Sequence, residues 1–208
     1  MDDEVPLPRF ASHGRTYVYV LPCRDEDLLK VGYSRDPLER FRTLHRRFFE
    51  FFDLERGLLI DTERLRDARR IERLFIDRLE SQRAPAPLVV RAAAAGYTEW
   101  FRGASPEAET LARALCEDEG LTLHAPLRPW LRARLEGRCD ALYGWSARML
   151  EALEYEHFNL PPHARSGSGA KALRDALDAF AAVGMELPAL VPPAVLDWHA
   201  SDDYFAVR

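Results

Sequence analysis

Two apolar runs near the start of the chain are rich in β-branched and aromatic residues, and stretches with apolar residues at helical spacing follow them. Thr16-Tyr17-Val18-Tyr19-Val20-Leu21 is β-branched and aromatic and stops at Pro22, which predicts a strand. Beyond the polar stretch Cys23 to Asp27, Leu28-Leu29-Lys30-Val31-Gly32-Tyr33 predicts the second strand of a hairpin. Asp36-Pro37 offers an N-cap with proline at the first helical position, and Leu38, Phe41, Leu44, His45 and Phe48 follow at helical spacing. Phe51 to Ile60 predicts a third strand with Gly57 at a bulge or kink. Asp61 or Thr62 is then expected to cap a helix that turns Leu65, Ala68, Phe75, Ile76 and Leu79 inward. Ala84-Pro85-Ala86-Pro87 ends that helix, Thr98-Glu99-Trp100-Phe101 reads as a short extended piece, and Ser105-Pro106 starts a helix towards Gly120.

Past Gly120 the strand signals fade. Leu127 to Glu136, Arg138 to Glu156 and Ala170 to Val183 read as helices, separated by Pro161-Pro162 and by the linker-like Ser166-Gly167-Ser168-Gly169. The expected fold is therefore α+β: a small, mostly antiparallel three-stranded sheet flanked by helices, followed by an all-helical C-terminal region. In domain terms this is a flexible arm over 1–14, an α+β domain over 15–118 and a helical domain over 119–208.

The 208 residues carry a net charge of −5 and no apolar run long enough to span a bilayer, so a membrane role is not expected. Three widely spaced cysteines, Cys23, Cys116 and Cys139, form neither a disulfide framework nor a zinc motif and fit a reducing, cytoplasmic setting. The charge is uneven. Residues 1–100 hold 18 Lys+Arg against 18 Asp+Glu, while residues 101–208 hold 11 against 16. Within the neutral first half, Arg35, Arg42, Arg46 and Arg47 make a basic cluster suited to a polyanion such as nucleic acid, or simply a solvated face. The acidic helical half is a candidate docking surface for a protein partner.

Two positions ask for chemistry. Glu72 falls among the apolar residues of its helix, and a carboxylate there costs several kcal/mol unless paired, hydrogen-bonded or metal-bound. A salt bridge to an arginine of the preceding helix and a metal-ligating role are both open. Lys30 is one of only two lysines, the other being Lys171, and stands in a strand where an apolar residue is expected. Its compact ammonium can contact phosphate or shuttle a proton, or its stem can snorkel.

In combination these residues resemble a known pattern. Tyr17-Val18-Tyr19, then Lys30-Val31-Gly32, Arg40 and Glu72 in that order are similar to the GIY-YIG endonuclease superfamily. Lys30-Val31-Gly32-Tyr33-Ser34, Asp36-Pro37 and Glu99-Trp100-Phe101 look most like its small phage and bacterial branch, in which lysine stands in the first YIG position. The resemblance covers about residues 15–118. It implies a metal-dependent endonuclease that hydrolyses phosphodiester bonds in nucleic acid, DNA in the first instance. Tyr19, Lys30, Arg40 and Glu72 would be catalytic, with Tyr17 and Gly32 supporting them and Glu72 holding one Mg²⁺ or Mn²⁺. Tyr17 departs from the glycine of the first motif, and Lys30 lacks the tyrosine hydroxyl that such mechanisms use on water. A nucleic-acid-binding module of the same fold that cleaves little, and a protein-interaction module built on the helical half, remain the alternatives.

Overall fold

The computed structural model describes residues 14–90, 99–201 and 204–205. The arm expected over 1–14 lies outside them except for Gly14. Two compact units divide the chain, residues 1–127 and 128–208.

The first unit is built on β1 (Thr16–Pro22), β2 (Leu28–Ser34), α1 (Pro37–Leu44), the single turn α2 (Phe48–Phe51), β3 (Leu58–Thr62), α3 (Leu65–Arg78), β4 (Trp100–Arg102), α4 (Ser105–Glu119) and β5 (Leu123–His124). The α+β class is as expected, but the sheet has five strands rather than three. They run in the order β4-β2-β1-β3-β5, every neighbouring pair antiparallel. The additional strands flank the hairpin and β3, and at three and two residues they are too short to show an alternation of their own.

β1 is central and buried along its whole length, which explains why apolar residues occupy both of its faces. Val18, Val20, Leu29, Val31, Leu58 and Ile60 belong to one core with Ala68, Ile71 and Phe75 of α3 and Ala108 and Ala112 of α4. The opposite face carries Tyr17, Tyr19 and Leu21, and the register pairs Tyr19 with Gly32 and Leu21 with Lys30, so Lys30 shares that face. There the Tyr19 ring meets Phe41 of α1 edge to face, with centroids 5.3 Å apart and planes at 89°.

Local chemistry accounts for the boundaries. Asp36 caps α1 through its side chain, which accepts from the Glu39 N–H at 3.2 Å, and Pro37 follows. Gly120 ends α4 in the left-handed conformation, φ 65°. The expected strand over Phe51 to Ile60 is shorter and later: Phe48–Phe51 form a helical turn, and Gly57 N–H closes a turn onto Asp53 O at 2.8 Å before β3 starts. The cap expected of Asp61 or Thr62 is absent. Thr62 belongs to β3, where its hydroxyl donates to Thr16 O at 2.5 Å, and α3 starts after Arg64.

In the second unit, α5 (Leu127–Glu136) leads in from the boundary, followed by α6 (Cys139–Asn159), α7 (Ser168–Ala182) and α8 (Pro193–Ala200). Ser166-Gly167-Ser168-Gly169 starts α7 rather than acting as a spacer: Gly167 sits at φ 65° as its cap, and a Cβ on Gly169 would touch Leu153 of α6 at 3.2 Å. No helix among the described residues is long and apolar enough to cross a membrane. All three cysteines are free thiols.

Candidate active site

Lys30 and Gly32 come from β2, Tyr19 from β1, Arg40 from α1 and Glu72 from α3. Arg40 lies one turn into α1, and its Nε donates to the Tyr19 hydroxyl at 3.2 Å. Tyr19 itself is 1% exposed. Burial pushes its phenol up to about 12, against the lowering influence of the Arg40 charge and hydrogen bond, so the hydroxyl stays protonated across the physiological range.

Gly32 is what makes room for that ring. A Cβ on Gly32 would lie 2.6 Å from Tyr19 Cζ and closer still to the hydroxyl. Its φ is not positive, so the requirement here is space and not backbone conformation.

Lys30 is fully buried. Its ammonium donates to the carboxylate of Glu99, the residue just before β4, and sits 5.6 Å from the Trp100 ring centroid. Burial lowers its pKa and the Glu99 carboxylate opposes that shift. Glu99 is the residue that motif reading left without a role. Its signal in the sequence is indirect: a lysine in a buried strand requires a carboxylate, but strand alternation does not say which one.

Glu72 is half-buried. Ala68, Ile71, Phe75, Ile76 and Leu79 are buried and form the inward stripe of α3, and Glu72 falls within it at helical spacing, as expected. Its carboxyl is pushed from 4.5 up to about 7, chiefly by burial and then by repulsion from Glu99, while Lys30, Arg73 and Arg40 pull the other way. Arg40 and Glu99 both act on Tyr19, Lys30 and Glu72, so the five groups share one electrostatic neighbourhood. Tyr17 is buried on the same face of β1, opposite Ser34 of β2.

The basic cluster divides. Arg42 pairs with Glu39 at 3.2 Å, and Arg47 forms a two-point bond with Glu50 at 2.6 and 2.5 Å, both across one helical turn. Arg47 also lies over the Phe49 ring, 5.0 Å from its centroid. Arg35 and Arg46 are exposed. The i,i+3 spacing of Glu39 with Arg42 and of Arg47 with Glu50 is the sequence signal that these arginines have carboxylates of their own.

Among the described residues no group of three or more His, Cys, Asp or Glu side chains is arranged to hold a metal. What the site does offer is the half-buried Glu72 carboxylate, on which Glu99, Lys30, Arg73 and Arg40 all act; a Mg²⁺-type ion, which takes one or two protein carboxylates and completes its shell with water and substrate oxygens, fits such a group.

Residues 16–116, from β1 to the last turn of α4, match the family model of the T5orf172 domain, a phage-derived domain of nuclease type. Neither the curated proteins nor the solved structures compared with the chain gave a match. This part of the first unit is thus similar to a nuclease-like or DNA-binding domain.

Proposed function

We propose that the α+β unit is an endonuclease of the GIY-YIG type that hydrolyses phosphodiester bonds, DNA in the first instance, with one Mg²⁺ or Mn²⁺ held at Glu72. The observation that carries this reading is Arg40, bonded to the Tyr19 hydroxyl, in the same electrostatic neighbourhood as the half-buried Glu72 carboxylate. Arg40 presents its guanidinium to the scissile phosphate and neutralises charge that develops on it. Tyr19 holds Arg40 in place. With a phenol near 12 and its oxygen already accepting from Arg40, Tyr19 orients the arginine and does not take a proton from water. A bound divalent cation supplies charge neutralisation on a nonbridging phosphate oxygen and assistance to the leaving oxygen.

The decisive assay is nicking of supercoiled DNA with Mg²⁺, with Mn²⁺ and with EDTA. Conversion to open circle with either metal and none with EDTA supports the reading; salt-sensitive binding without cleavage leaves the nucleic-acid-binding module, which the replacement of a tyrosine by buried Lys30 favours. Tyr19→Phe is expected to fold, because the ring keeps its contact with Phe41, and to lower kcat about tenfold by removing the hydroxyl that helps to position Arg40. Wild-type kcat in Tyr19→Phe would show that the arginine needs no such hold.

A further inference from the structure

We propose that Glu99 is the group that takes the proton from the attacking water, with Lys30 as the buried counter-ion that holds its carboxylate in place. The inference rests on the endonuclease reading and adds to it the base that reading lacks.

A base must touch the water it deprotonates. Tyr19 is 1% exposed and its oxygen is engaged by Arg40, while Lys30 is fully buried with its ammonium on Glu99. Neither side chain presents an accepting atom to a water in the cleft. Glu99 does: 26% of its side chain is exposed, and Lys30 reaches it through Oε2 alone. A carboxylate has about four lone-pair positions, so the bond from Lys30 leaves acceptor capacity for a water.

Glu99 is also well held. Its carbonyl accepts from the Val31 N–H at 2.9 Å, and the following residue, Trp100, pairs with Lys30 in the β2–β4 register. Main chain and side chain are therefore tied to the same two residues of β2, the degree of support that a catalytic group needs. Glu99 and Glu72 influence one another, and the two carboxylates have different surroundings: Lys30 makes its salt bridge to Glu99, whereas Lys30, Arg73 and Arg40 act on Glu72 through their charge, which leaves the Glu72 oxygens for the cation.

The step balances without a co-reactant other than water. Oxygen of the water forms a bond to phosphorus as one of its protons passes to a Glu99 oxygen. The bond from phosphorus to the leaving oxygen breaks, that oxygen takes a proton from solvent, and Glu99 returns its proton to solvent. Lys30 keeps its protons throughout.

The test uses the full chain on supercoiled DNA with Mg²⁺, reading kcat, KM, DNA affinity and melting temperature for Glu99→Gln, Glu99→Asp and Glu99→Ala, the last with and without added formate. Glu99→Gln is expected to lose about a hundredfold in kcat while DNA affinity stays within about twofold. Glu99→Asp recovers part of kcat, and formate restores part of the activity of Glu99→Ala, which a purely structural role would not allow. If Glu99→Gln fails to fold, Glu99→Asp carries the test: reduced kcat at unchanged affinity supports the assignment and wild-type kcat overturns it. Full kcat in a folded Glu99→Gln, or a loss confined to KM, overturns the assignment alone and leaves the endonuclease reading standing. A wild type that binds DNA but cleaves it with neither Mg²⁺ nor Mn²⁺ removes both.

Discussion

At pH 8, Glu72→Gln is expected to melt at a higher temperature than the wild type and to cleave DNA at least about a hundredfold more slowly. The two effects have one cause. The folded protein holds the Glu72 carboxyl near 7, whereas in the unfolded chain it titrates at about 4.5. Between those values the unfolded chain has released the proton and the folded protein has not, so wild-type stability falls as pH rises from about 4.5 to 7 and is level on either side. Glutamine, close in shape to the protonated acid, removes that loss. Discounted for partial exposure of the carboxyl, the gain at pH 8 is about 1–3 kcal/mol, and it disappears below pH about 4.5. Mg²⁺ is expected to raise the melting temperature of the wild type at pH 8 and to leave Glu72→Gln unmoved. Thermal melts at pH 4, 6 and 8 with and without Mg²⁺ check all of this. Identical melting temperatures for the two proteins at pH 8 would mean that the carboxyl is not strained in the fold, and the argument for a cation at Glu72 would lose its footing.

Gly32→Ala, a change of one methyl group, is expected to destabilise the protein by about 1–3 kcal/mol and to reduce cleavage tenfold or more. The added Cβ would stand 2.6 Å from Tyr19 Cζ. The ring has little room to retreat, because it is 1% exposed and meets the edge or face of Phe41 at 5.3 Å between centroids. Any shift it does make breaks the bond that holds Arg40. Denaturant titration supplies the measurement, and a second substitution identifies the cause. Tyr19→Leu in the Gly32→Ala background removes the ring atoms that clash, so the pair should be more stable than the sum of its single changes predicts. Strict additivity, or a wild-type midpoint for Gly32→Ala, would contradict this account of the glycine.

The hairpin, the capped start of α1, the end of α4 at Gly120 and the helical C-terminal region were legible in the amino-acid sequence because each depends on neighbours. The β-branched and aromatic runs over Thr16–Pro22 and Leu28–Ser34, Asp36 ahead of Pro37, and a glycine free to adopt φ 65° are all short-range facts. Tyr19 and Lys30 were likewise readable as residues on one sheet face, since alternation and hairpin pairing settle which side chains share a side. Tertiary structure decided the rest, where the deciding partner is distant along the chain. β4 and β5 exist as strands only because β2 and β3 offer them an edge. Spacing placed Glu72 within the inward stripe of α3, but only the folded structure shows that it is half-buried and faces the charges of Glu99, Lys30 and Arg40. Lys30 announced that it needed a carboxylate, but the one it takes is 69 residues away. Only the pairing of β2 with β4 brings Glu99 to it.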